Sequence, residues 1–181
     1  MKTIKVPGLD HVSPESQLLF AQIKKQLGKV PNLYATMGYS ASTLAGFLGF
    51  DSALTKSVFN SKEREAINLV VSEVNSCNYC LAAHTMIAST KGFSDKDILL
   101  FRKGDATDDK LKTVLLLTKS ITENRGEADE SLLNDFFNVG YDERALIDLI
   151  GLITAKIFTN YVYSLTKVPI DFPEAMALSE A

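Results

Sequence analysis

Apolar residues recur at three- and four-residue intervals along nearly the whole chain, and no stretch alternates β-branched residues at period two. That pattern predicts an all-α protein. Ser13 at a cap position and Pro14 at the first helical position open a helix that runs to Leu27 and stops at Gly28. Pro31 restarts the chain into a short segment ending near Gly38. A third helix is expected from Ala41 to Ser57, with Leu44, Phe47, Leu48 and Leu54 among its apolar positions. Asn60 and Ser61 cap a fourth, Lys62 to Val74, which carries Glu63 and Glu65 in its first turn, where the helix dipole favours them. Asn75 and Ser76 offer the cap for a fifth, Cys77 to about Lys91, ended by Gly92. Ser94 caps a sixth, Asp95 to Phe101. A seventh runs from Lys110 to Glu123, an eighth from Asp129 to Asn138, and a long ninth from Asp142 to about Lys167, stopped by Pro169.

The apolar run between Ala145 and Leu165 is interrupted by Asp148, Lys156 and Asn160, so it reads as a buried core helix rather than a membrane span. No linker rich in Pro, Gly or Ser divides the chain. One all-α domain over residues 1–181 is expected, with its motif region at 31–92. A weak internal repeat lies at an offset of about 80 residues, where Glu63, Arg64, Ile67 and Leu69 match Glu143, Arg144, Ile147 and Leu149. Extended, it sets Ile157, Asn160 and Ser164 opposite Cys77, Cys80 and His84, as in a duplicated helical unit with one chemically silent copy.

Composition narrows the function. A formal net charge of -3 gives no electrostatic case for nucleic acid or an anionic membrane, since both reward clustered Lys and Arg. Residues 1–10 show no apolar core of signal-peptide type, and a cytoplasmic location is expected. Both cysteines of the chain fall in one Cys77-Asn78-Tyr79-Cys80 motif. A bridge over so small a loop removes little entropy from the unfolded chain, which makes it a poor staple. The motif therefore points to redox chemistry or metal binding.

With Ser76 as cap, Cys77 and Cys80 lie in the first turn of a helix, where unpaired N–H groups and the macrodipole stabilise a thiolate. His84 follows Cys80 by four residues and is expected on the same face, able to exchange a proton with the thiol. The preceding helix offers Glu65 or Glu73 to orient the imidazole. Three other readings stand beside this one: a disulfide reductase or redox-relay protein using the same two cysteines, a zinc site of Cys77, Cys80, His84 and a glutamate, and a helical interaction module whose cysteines are incidental. Tyr79 between the cysteines reads as a packing residue. A thioredoxin site is disfavoured, because its CxxC would follow a strand.

The stretch from Pro31 to His84 resembles the carboxymuconolactone decarboxylase superfamily, in its alkylhydroperoxidase D-like, peroxidase-related branch. The resemblance is carried by Pro31-Asn32-Leu33, by Ser61-Lys62-Glu63-Arg64-Glu65, and above all by the run from Val71 to His84. The family pattern of a glutamate, CxxC and a histidine is filled by Glu65, Cys77, Cys80 and His84. The resemblance implies a helical alkylhydroperoxidase D-like fold and a thiol peroxidase. Cys80 would attack the peroxide, Cys77 would resolve the sulfenic acid to a disulfide, and Glu65 and His84 would form the proton relay. It implies no metal, haem or flavin, an unidentified dithiol reductant, and a homo-oligomer. The best-known member has a histidine where this chain has Tyr79, which leaves the relay's composition and the substrate range open.

Overall fold

The computed structural model describes residues 4–178; residues 1–3 and 179–181, at the ends of the expected domain and including the start of the segment read for a leader, lie outside them. Among the described residues the regular structure is helical: α1 (Pro14–Leu27), α2 (Asn32–Met37), α3 (Ala41–Leu54), α4 (Ser61–Val74), α5 (Asn78–Thr90), α6 (Asp95–Lys103), α7 (Asp109–Glu123), α8 (Glu130–Asn138) and α9 (Glu143–Thr166). An isolated bridge between Arg125 and Glu127 is the lone extended pairing among them.

Local chemistry sets most of the boundaries. Ser13, Asn60, Ser94, Asp108, Asp129 and Asp142 each accept a hydrogen bond from the first turn of the helix they precede. At α4 the cap is reciprocal: Asn60 accepts from the amides of Lys62 and Glu63, and Glu63 accepts from the Asn60 amide at 2.7 Å. Replacing Asn60 by alanine is expected to cost about 1 kcal/mol, read as a lower urea midpoint with an unchanged slope. Gly38, after α2, has no room for a side chain, because a Cβ there would collide with the Phe20 ring. The Ser16 hydroxyl donates to the Gly38 carbonyl at 2.7 Å and pins α1 to the end of α2.

Helix α4 is the hub, packed against α5, α6, α7 and α9, while α8 lies on α7. Its buried Ala66, Leu69 and Val70 meet Leu115 and Leu117 of α7 and Leu149 of α9 in the main core. A second core joins Phe20 and Ile23 of α1, Leu44 and Phe47 of α3 and Ala155 of α9. Helix α9 alone among the described helices has the length and apolarity to cross a membrane; here it packs on α2, α3, α4, α5 and α7. The internal repeat does not extend through the fold. Its first copy breaks between α4 and α5, whereas α9 runs unbroken through the matching positions and so presents no second helix start.

Candidate active site

The turn between α4 and α5 sets the two sulfurs. Ser76 adopts a left-handed conformation (φ 50), and the Cys77 amide donates back to the Ser72 carbonyl at 2.9 Å. The helix start therefore lies one residue later than the sequence suggests. Cys77 itself is the cap, its Sγ accepting from the Cys80 amide at 3.4 Å, and Ser76 is spent on the turn. Cys80 occupies the third helical position, with unpaired amides around it. Both residues are free thiols, and both are buried, 1% and 3% exposed.

The two sulfurs divide one ionisation between them. The Cys80 thiol is drawn down to about 6, first by a hydrogen bond from Cys77 and then, against the opposing effect of burial, by Lys156, His84 and Asn160. Cys77 is pushed up by that same bond to Cys80 and by burial. One anion, on Cys80, with a protonated neighbour, is the arrangement these surroundings favour.

Glu65, on α4, and His84, on α5, meet: Glu65 Oε1 bonds His84 Nδ1. Glu73, the other carboxylate in view, turns away to pair with Arg102 at 2.7 Å. Burial alone would raise the Glu65 carboxyl, but His84, Lys156 and Lys91 outweigh it and hold it below its ordinary value. The other ring nitrogen, His84 Nε2, lies 2.5 Å from Lys156 Nζ of α9. An ammonium has no lone pair, so Nε2 accepts from Lys156 and the imidazole proton sits on Nδ1, facing the carboxylate. Both imidazole nitrogens are thus engaged, and neither bonds a sulfur. The direct exchange between His84 and Cys80 suggested by their spacing is replaced by a chain that ends on Lys156. Among the described residues, no three His, Cys, Asp or Glu side chains gather as metal ligands.

The site opens into a cavity of about 420 Å³, lined by Cys80, His84 and Lys156 and by apolar groups that include Tyr34, Leu54, Ile87 and Phe172. After α9, Phe172 reaches the cavity wall. Phe172 packs edge-on against Tyr79, and Asp171 takes hydrogen bonds or charge from Tyr79, Lys29 and the Asn32 amide.

Comparison with known proteins fits this geometry. The model of the carboxymuconolactone decarboxylase family matches residues 41–118. Over this stretch the chain is similar to that family. The fold is shared with a peroxidase-related protein of Silicibacter sp. TM1040 (23% identity, 96% of this chain and 93% of that one, TM-score 0.78). It is shared as well with the alkylhydroperoxidase AhpD core protein of Ralstonia eutropha JMP134 (17%, 98% and 96%, 0.78). A third structure with this fold is the debrominase Bmp8 in complex with 2,3,4-tribromopyrrole (16%, 94% and 92%, 0.79). No curated protein sequence matches the chain.

The carboxymuconolactone decarboxylase segment contains Glu65, Cys77, Cys80 and His84, and the structure brings all four together. It does not contain Lys156, Thr159 or Asn160, which one turn of α9 adds to the site. Asn160 is 1% exposed; its Oδ1 accepts from Asn75 at 2.9 Å, while its Nδ2 has no hydrogen-bond partner among the described residues. Asn160 nonetheless favours ionisation of both cysteines. The sequence signal for Lys156 and Asn160 was their intrusion into an apolar run, which reads equally well as a helix surface. Tyr79 stands where the best-known family member has a histidine. Its hydroxyl donates to Asp171 at 2.6 Å and accepts from the Leu33 amide at 3.1 Å, so it anchors the residues after α9 rather than joining the relay.

Proposed function

We propose that this protein is a thiol-dependent peroxidase that reduces hydroperoxides through a Cys77–Cys80 redox cycle, with Glu65 and His84 in its proton relay. The observation that carries the reading is the placement of the sulfurs: Cys80 at a cavity wall in the first turn of α5, with the Cys77 sulfur held beside it by the Cys80 amide. Cys80 attacks the terminal peroxide oxygen, the O–O bond breaks, and Cys80 becomes a sulfenic acid. Cys77 then attacks that sulfur; its proton leaves with the hydroxyl as water, and the disulfide closes. An external dithiol restores both thiols by exchange. Self-association belongs to the same reading.

Burial of both sulfurs favours a small oxidant over a protein disulfide. The cavity also far exceeds the size of hydrogen peroxide, which favours an organic hydroperoxide. The same space and nucleophile suit a second reading, reductive dehalogenation of a small aromatic ring, as the name of the structurally similar debrominase suggests. The deciding experiment is consumption of hydrogen peroxide, an organic hydroperoxide and a polybrominated pyrrole in the presence of dithiothreitol. Hydroperoxide turnover no faster than that of a Cys80→Ser variant overturns the peroxidase reading.

The pH dependence follows from the ionisation of Cys80, whose thiol is drawn to about 6 in the company of Cys77, Lys156, His84 and Asn160. The thiolate is the reactive form, so the rate of the first oxidation is expected to fall as pH drops below that value and to be level near neutrality. An ordinary cysteine would still be gaining rate through pH 8. Stopped-flow oxidation across pH 5 to 8 distinguishes the two profiles.

A further inference from the structure

We propose that Lys156, rather than His84, hands the proton to the departing oxygen of the substrate, and that Glu65 and His84 act by holding its ammonium in the cavity beside Cys80. This rests on the thiol-peroxidase reading and deepens it.

The argument begins with the imidazole. Its Nδ1 is taken by Glu65 and its Nε2 by Lys156, 2.5 Å away, so His84 has no free nitrogen to offer a substrate. Lys156 has three N–H bonds and spends one on Nε2. It lines the same cavity as Cys80, so its remaining donors share the space a peroxide must enter for the sulfur to reach it. The charges of Glu65 and Lys156 flank a neutral ring, and the Cys80 thiolate completes a set with no net positive excess. The Lys156 charge also helps keep Cys80 ionised.

The proton balance closes on this residue. In the resting site Cys80 is a thiolate, Cys77 a thiol and Lys156 an ammonium. Cys80 takes the terminal oxygen of ROOH as its S–O bond forms and the O–O bond breaks. The alkoxide takes a proton from Lys156 and leaves as ROH, so Lys156 becomes a neutral amine. Cys77 attacks the Cys80 sulfur, and its own proton leaves with the hydroxyl as water. The disulfide state then carries neither the thiolate nor the ammonium, so the net charge of the site is unchanged. When a dithiol reduces the disulfide, Cys80 is released as a thiol and returns its proton to Lys156. No outside acid is needed in the cycle.

General acid catalysis matters most when the leaving group is a strong base. tert-Butyl hydroperoxide expels an alkoxide, whereas peracetic acid expels acetate, which needs no proton. The two oxidants should therefore respond differently to loss of the donor. Single-turnover oxidation of Cys80 by each is to be measured in wild type, Lys156→Met and Lys156→Arg. Arginine keeps the positive charge but does not give up its proton at working pH. Any change in the thiolate fraction affects both oxidants alike and cancels in the ratio of their rates.

The expected result is that both variants lose on the order of 100-fold more rate with the hydroperoxide than with the peracid. Iodoacetamide should alkylate Cys80 in Lys156→Arg nearly as fast as in wild type, which checks that its site is intact. An unchanged ratio in Lys156→Met, or a ratio retained by Lys156→Arg, overturns the assignment while leaving the peroxidase reading in place. A wild type that tert-butyl hydroperoxide does not oxidise overturns both.

Discussion

A Cys77→Ala variant is expected to complete one turnover and then stall. Cys80 should still reach the sulfenic acid, which a dimedone-type reagent would trap and mass spectrometry would place on residue 80. With the resolving sulfur gone, further turnover waits on an external thiol reaching a residue that is 3% exposed. Even the first oxidation should slow. The hydrogen bond from Cys77 is the largest influence drawing the Cys80 thiol down, and without it the thiol moves back toward its ordinary value. Near neutrality the anionic fraction then drops to a few per cent, so a burst slower by about tenfold or more is expected. Cys80→Ser should give no burst at all. Equal, undiminished turnover in Cys77→Ala would mean that the two cysteines do not work as a pair.

The second large effect concerns stability as well as rate. Glu65 is 5% exposed and joined to His84, with Lys156 beyond. Glu65→Gln keeps the volume but removes the buried carboxylate that pairs with His84 and Lys156, at a cost of about 3 kcal/mol. For a chain of this length that corresponds to a fall in Tm of roughly 6–12 °C. The pH dependence has a definite sign. Glu65 is held below its ordinary value of 4.5 in the folded protein. Its contribution is therefore complete above that value and is lost as pH falls through the folded one. Urea unfolding at pH 7 should separate wild type from Glu65→Gln by the full amount, and the gap should narrow on acidification toward pH 3. A gap that widens in acid would contradict the ion pair.

Much of this fold is written in local signals, and the exceptions have physical causes. Ser13, Asn60 and Asp142 cap the helices expected of them because a cap needs only the amides of its own first turn. Helix α3 ends at Leu54 rather than Ser57 because Arg64, on α4, donates to the carbonyls of Thr55 and Phe59 and turns the chain early. That is a tertiary contact no local pattern announces. Ser76 looked like the cap of α5, but its left-handed backbone passes the role to a sulfur. Cys77, Cys80 and His84 were legible because they follow one another at regular helical spacing, whereas spacing left Glu65 and Glu73 equal and only the family resemblance favoured Glu65. Lys156 was not legible, since its partner imidazole is 72 residues away in sequence, and a lone lysine in an apolar helix looks like an interruption.

The bond from the Cys80 amide to the Cys77 sulfur gives the protein a built-in spectroscopic handle. Closing the disulfide turns that acceptor from a thiol into a bridged sulfur and alters the electron density that the amide proton sees. The nitrogen–proton resonance of residue 80 should therefore shift in step with oxidation, so the state of the pair could be followed by NMR in unlabelled solvent without attaching a dye or quenching the reaction.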